Sequence, residues 1–338
     1  MKIAVDVMGS DLGHKPLISG VIKFLQQYND IDIILVGNEL IIKEYLIGFK
    51  LNEKLLSRIS FKNANEEIMM TDSILDIRRK NDNSMSKAIE CVANKEADAV
   101  LTAGATGPFL AANHFILKEI TGVTRPAFMA IMPTKIKNKQ VVLIDAGANV
   151  ENDSNDLEIF AMMANIYVQK IWELSQPKVA LLNIGTEEKK GKEYHQETYI
   201  KLSNNSQLNF VGNIEPNNFM NGDIDIVVTD GFTGNISLKA VEGTARNLLQ
   251  VLRNQFTKNI FRKLASLCLK KAFNEVKEIF DYRNTGGAIL IGVNGIVFKA
   301  HGSSDVKAFF STLKLVRKAL LEDVLSLIKN NVVKEEGK

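Results

Sequence analysis

IDIVVTDGFTGNISLKAVEG, residues 224–243, opens on an apolar run of Ile224, Ile226, Val227 and Val228. Each of these is β-branched, and the run is too short for a helix, so it predicts a buried strand. The turn Asp230-Gly231-Phe232-Thr233-Gly234-Asn235 follows at once, and Ile236, Leu238, Val241 and Ala245 then recur at helical spacing. Strand, glycine-rich turn and helix is how a parallel α/β sheet presents a site. The loop lies at the carboxyl edge of the sheet, and the helix N-terminus points free N–H groups into the crevice. Gly231 and Gly234 let the backbone approach a ligand, while Thr233 and Asn235 are residues that cap a helix or donate to an anion. An ordinary tight βα turn accounts for any one such loop equally well. Repetition is what gives it weight.

The same device recurs along the chain. Strands predicted at 2–7, 97–101, 141–144 and 179–183 end in the turns MGSD (8–11), TAGATG (102–107), DAGAN (145–149) and IGTEE (184–188). A basic run of Lys189, Lys190 and Lys192 follows the fourth turn, and 286–302 reads as the last strand. Helical patterns alternate with these strands, as over 40–49 and 86–95, and Pro16 stands near the start of the first helix. The expectation is an α/β fold with a mostly parallel sheet sandwiched by helices, its turns gathered along one edge as a polar crevice.

Residues 244–283 break the rhythm and predict a protruding two-helix arm. Ile260, Phe261, Leu264, Leu267 and Cys268 share one face, beside Lys258, Arg262, Lys263, Lys270 and Lys271. A core or dimer-packing helix explains that pattern, and so does an arm that touches anionic lipid or an acidic protein. Arg78, Arg79 and Lys80 form a second basic cluster, read either as a solvated helix face or as a contact for an acidic partner. From Val306 one long amphipathic helix is expected, then a polar tail at 331–338. The whole reads as a single domain over 1–330, with the arm at 244–283 inserted in it.

Composition excludes several classes. With 338 residues, 46% hydrophobic, the chain buries a sizeable core, and a net charge of +3 gives no footprint for nucleic acid. Its two cysteines are too far apart in sequence to suggest a disulfide framework or zinc site. The opening MKIAVDVMGSD reads as a first strand rather than a signal peptide, and no stretch has the roughly 20 apolar residues of a membrane span. A cytoplasmic location is expected. No phosphate-binding GxxxxGK[ST], HExxH or GxSxG motif occurs, and neither metal nor cofactor is expected. Of the four histidines, only His301 stands among site-type residues after a strand, where a His bonded to a nearby backbone carbonyl is the plain alternative.

Eight segments come in a familiar order: MGSD (8–11), LTAGATG (101–107), TRPAFMAIMPT (124–134), LIDAGANVEND (143–153), LLNIGTEEKKGKE (181–193), FVGNIE (210–215), DGFTGNISLKAVEG (230–243) and GVNGIVFKAHGSSD (292–305). Together they resemble the acyl-carrier-protein:phosphate acyltransferase family of bacterial phospholipid synthesis. The resemblance implies a homodimer with a fold akin to the isocitrate/isopropylmalate dehydrogenases and phosphate acetyltransferases. It implies that acyl-[acyl carrier protein] and inorganic phosphate give acyl phosphate, which passes to a membrane glycerol-3-phosphate acyltransferase. Peripheral, transient contact with the inner face of the membrane follows. Ser10, Ala105, Thr285 and Ile289 stand where the family usually has Gly, Asn, Tyr and Pro.

That chemistry makes modest demands. Phosphate is largely a dianion at neutral pH, and a thiol with a pKa of about 8.5 leaves readily. Orientation and preorganised donors matter most. Lys190, at the position of a family lysine, is the expected phosphate or oxyanion cation, with Lys299 as a second. His301 is assigned to the leaving sulfur or to phosphate, and Asn235 to the anion cradle with Thr233 and Gly234. The substrate-binding wall is drawn from Asp6, Gly9, Asp11, Gly104, Thr106, Gly107, Asp145, Asn149, Asn183, Gly185, Asp230, Gly231 and Ser303. Asp145 and Asp230 are expected to orient donors or cap turns, and Asn149 and Asn183 to contact the carbonyl. Arg78, Arg79, Lys258, Phe261, Arg262, Lys263, Leu264 and Leu267 are the expected carrier-protein or membrane contacts. Three rivals stay open: a metal- and NAD-dependent decarboxylating dehydrogenase, a phosphate acetyltransferase using coenzyme A, and a non-catalytic membrane-associated scaffold.

Overall fold

The computed structural model describes residues 1–279, 283 and 286–332. The chain begins β1 (Lys2–Asp6), α1 (His14–Gln27), β2 (Asp32–Gly37), α2 (Glu39–Ile47), α3 (Glu53–Leu56), β3 (Ile59–Asn63), α4 (Asp76–Arg79), α5 (Ser84–Ala93), β4 (Ala99–Thr102) and α6 (Thr106–Ile116). It continues with β5 (Ala127–Pro133), β6 (Gln140–Ile144), α7 (Ser154–Trp172), β7 (Lys178–Leu182), α8 (Glu193–Asn204), β8 (Asn209–Ile214), β9 (Ile226–Val228) and α9 (Gly231–Phe256). Then come α10 (Ile260–Cys268), α11 (Lys270–Ile279), β10 (Ala288–Ile291), β11 (Ile296–Lys299), α12 (Val306–Leu321) and α13 (Val324–Val332).

Among the described residues, 11 strands form one sheet in the order β3-β2-β1-β4-β11-β10-β5-β6-β9-β7-β8. Strand residues are apolar on both faces because helices cover both. Ile3 and Val5 point into one core with Leu17, Val21, Phe160, Phe309 and Leu313 of α1, α7 and α12. Ala4 between them points into the opposite core, with Met85, Ile89 and Phe109 of α5 and α6.

The turns gather at one level of the sheet, but two oppositely directed blocks supply them. β3, β2, β1, β4 and β11 run one way, and β6, β9, β7 and β8 run the other. Three antiparallel pairings, β11 with β10, β10 with β5 and β5 with β6, reverse the direction between the two blocks. The register nevertheless brings the carboxyl ends of both blocks to one level, since Val5, Leu101, Phe298, Ile289, Met129, Ile144, Val228 and Leu181 lie in one row across the sheet, and the two sets of turns converge there. α9 starts where β9 ends and runs past the turns of the other block, where its Lys239 and Glu242 act on Lys299 and His301.

The last strand predicted over 286–302 is a hairpin of β10 and β11, and the Asn294-Gly295 pair between its apolar runs is a hairpin signal. The single C-terminal helix is in fact two, broken at Asp323, whose φ of 47° lies in the left-handed region. The break turns Val324, Ile328 and Val332 into the core beside α7, while Leu321 is exposed. Residues 331 and 332 belong to α13, and the rest of the predicted tail lies outside the described residues. In the arm, α9 continues unbroken to Phe256, and α10 and α11 meet at Leu269. No residue of α10 is buried, and Phe256 and Phe273 pack edge to face within the arm, 4.5 Å between centroids.

Candidate active site

One group of site-type residues stands where β1, β4 and β11 end. Asp6 is 1% exposed and accepts from the Thr102 hydroxyl at 2.6 Å and from the Met8 N–H at 3.0 Å. Burial pushes its pKa up to about 6, against the pull of the Thr102, Ser84 and Met8 hydrogen bonds. Gly9 has φ +68°, and a Cβ there would fall 2.3 Å from the Ile68 carbonyl oxygen, so only glycine fits. Its N–H donates to Glu67. Gly104 donates to Thr102 Oγ1 at 3.0 Å and lies against Met85, and Thr106 and Gly107 open α6. Asp11 donates its N–H to the Gly302 carbonyl at 3.0 Å, which joins the first turn to the last.

Lys299 ends β11 half-buried, and burial draws its pKa down to about 8, with Lys239 adding to the effect and Asp11 opposing it. His301 Nδ1 accepts the Ser303 N–H at 3.2 Å and lies 2.8 Å from the Ser303 hydroxyl. Desolvation lowers its pKa below the usual histidine value, and Lys299 and Lys239 act the same way against Glu242 and Asp11. Lys239 and Glu242 belong to α9, so that helix bears on this group with its third and fourth turns.

The second group stands where β6, β9 and β7 end. Asp145 is fully buried and accepts from the N–H groups of Phe128, Gly147, Ala148 and Asn149 at 2.8–3.0 Å. Burial raises its pKa against those bonds. Gly234 sits so close that a Cβ would lie 1.8 Å from the Asp145 carbonyl oxygen, and one on Gly231 would lie 2.2 Å from that of Asn149. The capping residue of α9 is Asp230, which accepts the Thr233 N–H at 2.8 Å; neither Thr233 nor Asn235 caps it. Asn235 lies against Gly147, and its amide has no hydrogen-bond partner among the described residues.

Beyond β7, Lys190 folds its chain back over Gly185, and its ammonium pairs with Glu187 at 3.7 Å while the side chain stays 46% exposed. The Tyr194 hydroxyl donates to Asp230 Oδ2 at 3.1 Å, tying this turn to the start of α9. Lys190 and Asn235 are donors of the second group, as is the Thr233 hydroxyl.

The family model described as "Fatty acid synthesis protein" matches residues 1–327. A phosphate acyltransferase from Mesoplasma florum is 45% identical over 331 residues, covering 98% of this chain and 99% of that protein. The chain belongs to the phosphate acyltransferase family. A phosphate acyltransferase from Mycoplasma capricolum subsp. capricolum is 44% identical over 335 residues, 99% of both chains. Among solved structures, a phosphotransacetylase from Streptococcus pyogenes superimposes with TM-score 0.65 at 16% identity, over 95% of this chain and 94% of that one. A 4-hydroxythreonine-4-phosphate dehydrogenase from Klebsiella pneumoniae gives 0.51 at 10% identity, over 94% and 99%. Both show the fold alone. This acyltransferase has the α/β architecture of the phosphotransacetylases and of that dehydrogenase, and acyl phosphate formation is its general chemistry.

Two of the expected carbonyl contacts are already engaged in this acyltransferase. Asn149 spends its amide N–H groups on the Pro126 carbonyl and Asp145, each at 2.8 Å. Asn183 donates to the Lys190 carbonyl and Asn213, and its oxygen accepts the Ile184 N–H. Both hold turns and have no donor left for substrate. Arg79 pairs with Asp76 and Arg78 lies over the Phe115 ring, so that cluster is partly neutralised and occupied. The residues passed over in the sequence are Glu67, Tyr194, Lys239 and Asn152, whose side-chain oxygen accepts the Gly231 N–H at 3.1 Å. None lies in a glycine-rich turn, and only the partners they reach across the fold single them out. Among the described residues, no group of three or more His, Cys, Asp or Glu is placed to hold a metal ion.

Proposed function

We propose that this phosphate acyltransferase takes a long-chain acyl-[acyl carrier protein] as donor and that inorganic phosphate attacks the thioester carbonyl directly. The supporting observation is that Asn235, whose amide has no hydrogen-bond partner among the described residues, opens α9 beside its capping Asp230, and that Asp230 also accepts from Tyr194, four residues after the half-exposed Lys190. Cationic and amide donors suit a phosphate dianion and the oxyanion of a tetrahedral intermediate. The attacking oxygen of phosphate forms the bond to carbon, and the carrier protein's sulfur leaves as thiolate. Neither step needs a base or a covalent enzyme intermediate.

His301 then serves as a hydrogen-bond donor. Its Nδ1 accepts from Ser303, so the neutral ring holds its proton on Nε2. Lys299 is assigned to anion binding beside it. The acyl phosphate passes to a membrane glycerol-3-phosphate acyltransferase, and the arm provides transient contact with the inner membrane face. No helix among the described residues is long and apolar enough to cross a membrane. α10 instead exposes Ile260, Phe261, Leu264 and Leu267 among Lys258, Arg262 and Lys263, the pattern of a helix that lies on a membrane surface. Two copies of the chain form the working enzyme, and the arm at 244–283 is an insert within one domain.

The test is acyl phosphate formation, trapped as the hydroxamate, from palmitoyl-acyl carrier protein and phosphate. Palmitoyl-coenzyme A and acetyl-coenzyme A run in parallel, with phosphate omitted as control. Phosphate-dependent product from the carrier-protein donor supports the proposal. Product mainly from acetyl-coenzyme A moves the assignment to a phosphate acetyltransferase, and no product with a folded protein leaves the scaffold reading.

A further inference from the structure

α1 and α12 pack directly on each other: a Cβ on Gly20 would come within 3.2 Å of Phe309. Neither helix contains an acidic residue, over 14 and 16 residues respectively. The chain as a whole has 39 acids in 338 residues, which would place roughly three in a stretch of that combined length. Lys15, Lys23, Lys307 and Lys314 are all exposed. Lys23 and Lys314 stand over the same Phe310 ring, at 4.9 and 5.3 Å from its centroid. Two like charges held over one ring, with no acid on either helix, form a ready contact for an anionic partner. Arg317 on the same helix is already satisfied by Asp30 at 2.6 Å.

The face adjoins the first group of site residues at both of its ends. α12 follows directly on the His301–Asp305 turn, and α1 follows the Gly9–Gly13 turn, whose Asp11 is bonded to Gly302. Lys307 and Lys15 occupy the first turns of their helices, nearest that group. The face also lacks apolar anchors: Leu321, at the far end of α12, is the exposed large apolar side chain on either helix. Lipid binding by a surface helix needs such anchors, and they are found on α10 instead.

We infer that the α1–α12 face is where the acidic acyl carrier protein docks, delivering its acyl thioester toward the Lys299–His301 edge. This rests on the carrier-protein reading proposed above. The acidic recognition helix of a carrier protein would lie across Lys23 and Lys314, and steering by these charges would act mainly on encounter.

Lys23→Glu/Lys314→Glu should raise KM for palmitoyl-acyl carrier protein by about tenfold and leave kcat and the phosphate KM unchanged. Lys23→Gln/Lys314→Gln should give a smaller rise, and it guards against a folding defect in the reversed variant. Lys258→Glu/Lys263→Glu on the arm should leave the carrier-protein KM as it is, and the Lys23/Lys314 variants should still sediment with anionic vesicles. An unchanged carrier-protein KM overturns the inference. So does a rise in the arm variant alone, or loss of vesicle binding without a KM effect, which would assign the face to lipid. A wild-type enzyme that ignores the carrier-protein donor removes the proposed function itself, and this inference with it.

Discussion

Tyr194 donates its hydroxyl hydrogen to Asp230 Oδ2 at 3.1 Å, while Asp230 Oδ1 caps α9 through the Thr233 N–H. One carboxylate therefore ties the start of α8, just after the turn that carries Lys190, to the helix end that carries Asn235. Tyr194→Phe removes the tie and keeps the ring. Hydrogen bonds to charged groups contribute about 1.5–3 kcal/mol. A fall in kcat of roughly tenfold is expected, with a smaller change in the phosphate KM, as measured by hydroxamate release. Unaltered kcat would show that the two donors hold their places without the tie.

Lys190→Ala should reduce kcat by about 10²–10³, the range for loss of one oxyanion donor, and should leave thermal stability near wild type. Its side chain is 46% exposed and its ion pair with Glu187, at 3.7 Å, is a surface contact of little structural worth. A thermal melt beside the assay separates the two effects.

Gly234→Ala and Gly147→Ala should fail differently. At Gly234 the new methyl meets backbone, 1.8 Å from the Asp145 oxygen, so the packed turn must open and stability falls by about 1–3 kcal/mol or more. At Gly147 it meets the Asn235 side chain at 2.9 Å, in a backbone with φ +121°. Asn235 is displaced there, and turnover should fall further than the melting temperature. Chemical denaturation with parallel kinetics tests the contrast.

The pH dependence follows from Lys299. Its folded pKa lies near 8, below the ordinary lysine value of 10.5. Between those values the unfolded chain binds more protons, so the contribution of this group to stability rises with pH across that window. Lys299→Met should flatten that part of a melting-temperature profile. In the wild type, phosphate binding should weaken as pH passes about 8 and the lysine loses its charge, and a KM profile for phosphate would show it.

Leu264→Glu/Leu267→Glu should release the protein from anionic vesicles and leave the fold intact. The two side chains are 56% and 62% exposed on a helix with no buried residue. Unchanged sedimentation would remove the arm from the membrane-contact proposal.

Local chemistry made much of this protein legible in the amino-acid sequence itself. The apolar runs at 226–228 and 141–144 are strands buried on both faces, because successive apolar residues in an extended chain point alternately to each side and both sides must then be covered. Asp145-Ala-Gly and Asp230-Gly mark turns because a short carboxylate satisfies the free N–H groups that glycines leave close together. The eight ordered segments identified the family. What the sequence does not contain is the direction of each strand. β5 pairs antiparallel with both β10 and β6, through Met129 opposite Ile289 and Ile144, and those partners are 160 and 15 residues away along the chain. Apolar periodicity reports which face a residue buries and is the same for either strand direction. Pairing across the sheet decided the direction of each block and brought the carboxyl ends of both to one level, and contacts within and between the turns, between groups distant or close in sequence, then occupied the amides of Asn149 and Asn183.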